Sequence, residues 1–345
     1  MDTFPERIAN EDQLEELLSR PDPEVVKMFS QLEGDIIFLG VAGKIGISLA
    51  HMAKRACDEA GIRKRIIGVS NFENKDIQKK VGKLGIETIN GDLLDTKFTN
   101  SLPTVKNVFY LAGMKFGSID NLAMTWAVNT WLPAIVADHF RQSKIVAFST
   151  GCVYPLVPVT SGGSKETDPA EAIGEYAQSC LGRERMLEFG SIRNKTEVTL
   201  IRLNYSAETR YGVLVDIAIK VKNNQPVDLT MGHFNVIWQG DMNNYVLRSL
   251  ELASSPAKIL NVTGTEILSV REVAKEFGSY FGVEPKFEGK EAPTALLNNA
   301  GHCFDLYGKP KTPVKQVIKW IAMWLNDNQS LLGKPTHFEV RDGKY

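Results

Sequence analysis

Four cysteines in 345 residues, Cys57, Cys152, Cys180 and Cys303, lie too far apart for a CxxC pair. Neither a zinc knuckle nor a disulfide framework is therefore expected, and a reducing compartment fits the chain. Excess charge is lacking too, since 40 basic and 41 acidic residues leave a formal net charge of -1. Nucleic acid and anionic membrane both select clustered positive charge, so neither is an expected partner. No apolar run approaches the roughly 18 residues of a membrane span. The N-terminal MDTFPERIANEDQLEELL is acidic rather than basic-then-apolar, so no secretory leader is read there and the cytoplasm is the expected location. No metal is expected. Repeats and low-complexity tracts are missing, and a composition of 43% hydrophobic and 23% charged residues is that of a folded core.

The chain has instead an alternation of apolar runs and amphipathic stretches. Leu14, Leu17 and Leu18 form an apolar stripe, Pro21 and Pro23 interrupt it, and Val25, Val26, Met28 and Phe29 start a second short helix. The runs DIIFLG (35–40), RIIGVS (65–70), NVFYLAG (107–113), KIVAFST (144–150) and VTLIRLN (198–204) are separated by helical segments near 47–60, 120–140 and 172–190. Short, β-branched runs spaced in this way predict buried parallel strands joined by crossover helices, an α/β doubly wound Rossmann-type sheet. Beyond residue 205 the alternation loosens: 223–235 reads as loop, 259–264 as a short strand, and 241–253, 268–281 and 312–327 as helices. The expected organisation is a helical extension over 1–32, a dinucleotide-binding domain over 33–204, a smaller substrate lobe over 205–330 with segments returning to the sheet, and a tail over 331–345.

The first run leads directly into Gly40-Val-Ala-Gly43-Lys44-Ile45-Gly46 and a helix. Glycine at this spacing permits a tight strand-to-helix turn, close backbone approach to a pyrophosphate and close helix packing, and the helix N-terminus offers N–H groups to the anion. Plain packing glycines are the alternative reading. A second strand in such a fold commonly ends in a carboxylate that holds the adenosine ribose 2′-OH. Here Ser70 and Asn71 stand at that place, which removes repulsion against a 2′-phosphate, and Lys44 and Lys75 are nearby cations. The expectation leans to NADP over NAD. Asp92, followed by Leu93, ends the next strand where it could accept from the adenine amino group, and Ala112 follows the fourth strand on the cofactor side.

Taken together, GVAGKIG, GDLLD (91–95), FSTGCVYP (148–155) and YAQSCLGRE (176–184) resemble the extended short-chain dehydrogenase/reductases, the NAD(P)-dependent epimerase/dehydratase family. The resemblance runs over about residues 34–325. It implies a hydroxyl at Thr150, preceded by Ser149, that polarises the substrate oxygen; the bottom-up reading agrees, because a Ser-Thr pair at the carboxyl end of a buried strand lies where α/β sheets place ligands. It also implies Tyr176 as acid/base and Asn129 as a residue that orders the site. Pro155 departs from the family's usual glycine. The larger departure is Cys180, which occupies the position of the lysine in the Y-x-x-x-K motif.

A phenol with an ordinary pKa near 10 needs its phenolate stabilised to exchange protons near neutrality. A thiol supplies no fixed positive charge. Three readings stay open: another cation substitutes, Lys115 first and Arg183 second; the Thr-Tyr pair and nicotinamide suffice for slower chemistry; or the site binds ligand with little turnover, as a sensor or scaffold. A lyase or isomerase that uses its cofactor only structurally is a further alternative.

On the substrate side, Arg202-Leu-Asn204-Tyr205 places the asparagine one position earlier than relatives do, which argues against a nucleotide-sugar contact there. Arg210, Tyr211, His233, Asn235 and Trp238 are candidate pocket groups, since aromatic rings stack on sugar faces while polar groups read hydroxyls. The expected activity is oxidoreduction, or transient oxidation within an epimerase or dehydratase, at a carbinol or carbonyl carbon of a sugar-like substrate. A homodimer is expected through the helices near 120–140 and 172–190.

Overall fold

The computed structural model describes residues 4–115, 117 and 120–344. Seven strands make one parallel sheet: β1 (Ile36–Leu39), β2 (Ile66–Ser70), β3 (Glu87–Asn90), β4 (Asn107–Tyr110), β5 (Lys144–Thr150), β6 (Val198–Leu203) and β7 (Lys258–Val262). Their spatial order is β7-β6-β5-β4-β1-β2-β3, and every neighbouring pair is parallel. The sheet is thus the expected doubly wound α/β Rossmann-type sheet, with β7 drawn from the C-terminal half of the chain.

Side-chain alternation decides what covers each face. Ile36 and Phe38 of β1 point to one side, where Phe38 stacks on Phe109 at 4.8 Å and the helices α2 (Pro23–Gln31) and α3 (Gly46–Glu59) supply Val25, Phe29, Leu49, Met52 and Ala53. Ile37 and Leu39 point to the other side, among Val108, Ile145, Leu132, Val136 and Leu187. Both faces are therefore buried, and each buried aliphatic or aromatic side chain contributes about 1.5–3 kcal/mol.

The first helix, α1 (Glu11–Leu18), does not stand apart as a preface. Its Leu14, Leu17 and Leu18 belong to the core of the C-terminal lobe, and Arg55 Nη1 of α3 donates to Glu16 O at 2.9 Å, so the extension bridges the sheet and the lobe. Helix α4 (Lys75–Lys83) packs Val81 into the same core as α3, whereas α5 (Thr96–Ser101) places Phe98 against the other face of the sheet.

The helix expected over 120–140 is broken into α6 (Leu122–Trp126), a π-helical turn (Ala127–Trp131) and α7 (Leu132–His139). Helix α8 (Gly174–Asn194) packs beside them. The smaller lobe contains α9 (Val213–Lys222), α11 (Val270–Phe281) and α13 (Val314–Asn326), whereas α10 (Gln239–Arg248) packs on the sheet beside α3 and α12 (Gly301–Tyr307) beside β7. Two-residue strands at Val227–Asp228 and His233–Phe234 interrupt the segment read as loop. Among the described residues no helix is long and apolar enough to cross a membrane, and no group of three or more His, Cys, Asp or Glu is placed to hold a metal ion.

Candidate active site

The strand order reverses between β1 and β4, and at such a point the connections leave in opposite directions and open a crevice beyond the carboxyl ends of the strands. A cleft of about 390 Å³ occupies that crevice. The glycine turn forms one wall. Gly40 has φ +91°, and a Cβ there would lie 2.7 Å from Ala112 N, so only glycine lets the turn pass under the end of β4. A Cβ at Gly46 would lie 2.4 Å from Val41 O, whereas one at Gly43 would meet only Gly40 O at 3.4 Å. Gly40 and Gly46 are thus fixed by packing, while Gly43 turns an uncovered backbone towards the cleft. This is the cradle that a pyrophosphate needs.

Facing the turn, Thr150 ends β5 and Tyr176 lies in the first turn of α8, and both line the cleft. Thr150 Oγ1 also accepts from Cys152 N at 3.1 Å, capping the short turn that follows the strand. Cys180, one helical turn beyond Tyr176, is fully buried among Val153, Tyr154 and Leu181 and does not reach the cleft wall. Burial raises its pKa. Cys180 is therefore a packed thiol that does not face the cleft.

Lys115 does line the cleft, with Nζ 5.9 Å from the centre of the Tyr176 ring and donating to Thr336 O at 3.1 Å. Burial lowers its pKa, partly offset by the Cys152 thiol and the Asp216 carboxylate. Arg183 closes the floor: Nη1 donates to Phe148 O at 2.8 Å and Nη2 to Asn129 Oδ1 at 2.6 Å, while its buried Nε makes no hydrogen bond. Burial first, then the Cys180 and Cys152 thiols, push the Tyr176 phenol well above its ordinary pKa, and Arg183 acts against that shift.

The π-helical turn explains the placement of Asn129. An extra residue in the turn directs its side chain inward. There it accepts from Met114 N at 2.9 Å, donates to Met114 O at 2.9 Å and to Ser179 Oγ at 3.0 Å, and so ties the loop carrying Lys115 to α8. Phe116 and Ser118 of the same loop lie outside the described residues. Ser149 lines the cleft, but its hydroxyl donates to Glu184 Oε1 at 2.5 Å, and Glu184 in turn holds Arg202 through contacts of 3.0 and 2.7 Å.

The other predicted residues divide by location. Lys44, Ile45 and Tyr211 line the cleft, with Lys44 Nζ 3.2 Å above the Tyr211 ring. Ser70, Asn71, Asp92, Leu93 and Ala112 stand at or just beyond the ends of β2, β3 and β4 but not on the cleft wall. Asn71 Nδ2 donates to Glu73, and Asp92 Oδ1 accepts from Leu94 N at 2.9 Å.

Four candidates for the pocket, Arg210, His233, Asn235 and Trp238, are not brought to it. Arg210 pairs with Glu208 at 3.0 Å and with Glu15 of α1 at 3.1 Å; His233 pairs with Ser269 in a short ladder; Trp238 packs on Trp320 at 5.1 Å. Asn235 is buried, accepting from Asn204 Nδ2 at 2.7 Å. The sequence reading missed Lys334 and Thr336, which enter the cleft from the tail. Their only signal was Phe338, a large apolar residue in an otherwise polar end, which is buried beside Phe234.

No protein-family model and no curated protein matches the chain. Solved structures do. The chain is similar to the dTDP-glucose 4,6-dehydratase DesIV from Streptomyces venezuelae with NAD bound (15% identity, TM-score 0.72, 85% of this chain and 97% of that one). It is also similar to the UDP-glucose 4-epimerase of Thermus thermophilus in complex with NAD (20%, TM-score 0.68, 85% and 99%). A third is the UDP-glucuronic acid 4-epimerase of Bacillus cereus in complex with NAD (14%, TM-score 0.70, 85% and 99%). At these identities the likeness is one of fold.

Proposed function

We propose that the chain is an extended short-chain dehydrogenase/reductase that oxidises, reduces or epimerises a carbinol or carbonyl carbon of a sugar-like substrate with a nicotinamide dinucleotide. One observation carries this reading: the glycine cradle, Thr150, Tyr176 and Lys115 border a single cleft at the reversal of the sheet. The folds it resembles, solved with NAD and named for nucleotide-sugar reactions, support it.

When bound, the nicotinamide supplies the hydride acceptor or donor. Gly43 and the turn's N–H groups hold the pyrophosphate. Thr150 Oγ1 and the Tyr176 hydroxyl hold the substrate oxygen between them. Tyr176 is a neutral phenol at pH 7 and can give its proton to an oxygen that becomes alkoxide during reduction, while its raised pKa makes it a weaker acid than an ordinary phenol. In the oxidising direction it must accept that proton; Arg183 acts against the rise in its pKa, and Lys115, with Nζ 5.9 Å from the ring centre, is a second cation beside it for stabilising the phenolate. No Asp or Glu lines the cleft among the described residues, so elimination of water, which needs a further acid and base, fits less well than redox or epimerisation.

Ser70 and Asn71 leave room for a 2′-phosphate, so NAD and NADP are to be compared directly. The apolar outer surface of the α6–α8 layer, with Trp131 51%, Phe189 58% and Ile192 57% exposed, supports a homodimer through those helices. The test follows absorbance at 340 nm with UDP-glucose, UDP-glucuronate and their free sugars, in wild type and Tyr176→Phe. The variant is expected to lose about 10²–10⁴-fold in turnover. Unchanged turnover in Tyr176→Phe removes the tyrosine from the mechanism, and bound nicotinamide whose absorbance never changes favours a non-redox role.

A further inference from the structure

The tail beyond α13 is tied to four parts of the molecule. Thr336 is buried; its N and Oγ1 donate to Asp216 Oδ2 of α9 at 2.7 and 2.5 Å, and its carbonyl accepts from Lys115 Nζ at 3.1 Å. Phe338 packs in the core of the smaller lobe beside Phe234, with ring centres 6.2 Å apart. Arg341 donates to Thr294 O and Oγ1 at 2.7 and 2.6 Å and to Thr230 O at 3.2 Å. Gly343 lies against the start of α8, just before Tyr176, where a Cβ on it would be 2.2 Å from Ile173 O. Between two of these anchors His337 adopts φ +54°, a conformation uncommon outside glycine that persists where its surroundings fix it.

This path separates two spaces. Lys334 and Thr336 line the catalytic cleft of about 390 Å³, while Lys334, Pro335 and Phe338 line a second cavity of about 290 Å³ whose other wall is Val215 and Ile219 of α9. Tyr211 borders both. A pocket for a single ligand usually has about 300–1,000 Å³. The cleft is near the lower end of that range, and it must take the nicotinamide end of a dinucleotide as well as a substrate. A substrate that extends beyond its reacting ring runs into the tail, with further room only on the tail's other side.

We propose that the C-terminal tail sets the length of substrate that the cleft accepts: residues 334–336, held in place by Asp216, Phe338 and Arg341, bar extension towards α9, so the substrate is a compact molecule of free-sugar size and is not linked to a nucleotide. This rests on the reading of the cleft as the site of a nicotinamide cofactor and a sugar-like substrate. It departs from the nucleotide sugars for which the similar folds are named. The tail is held by hydrogen bonds and one buried ring, so weakening an anchor raises the fraction of molecules in which it is locally open.

Cys152 reports on the cleft from within, since it lines the wall while Cys57, Cys180 and Cys303 are buried and do not. The full chain, loaded with NAD⁺ to fill the cofactor side, is reacted with methyl methanethiosulfonate and, separately, with fluorescein maleimide. Each rate is taken relative to that reagent's rate with glutathione, and Cys152→Ser controls for labelling elsewhere. In wild type the small reagent is expected to label Cys152 about tenfold or more faster than the bulky one. Arg341→Ala, which removes charge-assisted bonds, is expected to raise the bulky reagent's rate about tenfold and to leave the small reagent's rate unchanged. Thr336→Val, which removes the hydroxyl bond to Asp216, serves in its place if Arg341→Ala does not fold. Equal relative rates in wild type overturn the proposal, as does a bulky-reagent rate that neither variant raises, or Cys152 unlabelled in every form. A wild-type KM for UDP-glucose about tenfold or more below that for glucose overturns it as well. If NAD⁺ does not bind, the cofactor reading fails separately, and the same comparison of wild type and variants on the unloaded chain decides the role of the tail.

Discussion

Glu184 and Arg202 show how single residues hold the site in place. The pair is buried, with side chains 0% and 3% exposed, and it joins α8 to β6 while Ser149 donates to it from β5. Removing one partner leaves a buried charge uncompensated, so Arg202→Met is expected to cost about 3–5 kcal/mol in urea unfolding. The double variant Glu184→Leu, Arg202→Met is expected to recover part of that loss.

Lys44 has the opposite cost. Its folded pKa, near 7, lies below its ordinary value of 10.5, so the folded state is penalised whenever the lysine is charged. The penalty is complete below about pH 7 and fades as pH rises towards 10.5, because the unfolded chain binds the extra proton across that window. Lys44→Met is therefore expected to raise the melting temperature most at pH 6 and least at pH 10, and a pH-independent gain would remove the electrostatic explanation.

Among the elements, α10 shows a buried carboxylate kept for packing geometry. Asp241 lies in its first turn and accepts from Thr312 N at 2.9 Å, and burial raises its pKa to about 6 from an ordinary 3.8. A raised carboxylate contributes stability that is present below the ordinary value and is lost as pH rises through the folded value. Asp241→Asn keeps an acceptor for Thr312 without the charge. It is expected to stabilise the protein by on the order of 1–3 kcal/mol at pH 7.5 and to make no difference at pH 4, read by chemical denaturation at both. The break at Ala127–Trp131 belongs to the same scale: an unbroken helix there turns Asn129 away from Met114, Ser179 and Arg183.

At the scale of the whole molecule, the ends of the chain close the structure. Helix α1 seals the junction of sheet and lobe, and the tail crosses the cleft between its anchors at Asp216 and Thr294. The outward face of α8 leaves Phe189 and Ile192 exposed. If it joins two copies, Phe189→Glu is expected to convert a dimer to a monomer in analytical ultracentrifugation, with the fold retained by circular dichroism. A wild type that sediments as a monomer would refute this.

Much of the sheet and one side of the site were legible in the sequence because they depend on local chemistry. Buried parallel strands need short β-branched runs, and a strand-to-helix turn of this tightness needs glycine at Gly40 and Gly46; both requirements are written in neighbouring residues. Thr150 followed both from its place at the end of a buried strand and from the family resemblance, and Tyr176 from the resemblance alone. Only the tertiary structure decided the rest. Cys180 could be read as a vacancy from spacing, but its burial under Val153 and Tyr154 depends on contacts between distant segments. Arg210, His233 and Trp238 looked like pocket groups by residue type, but Arg210 is taken up by Glu15 of α1 together with neighbouring Glu208, His233 by Ser269 and Trp238 by Trp320, so most of their partners are distant in sequence. Lys334 and Thr336 lie more than a hundred residues from the other cleft lysines, and only the path of the folded tail brings them there. Periodicity and turn chemistry act over a few residues, so they determined the scaffold; the charges that face a substrate are summed across space, and the fold alone set that sum.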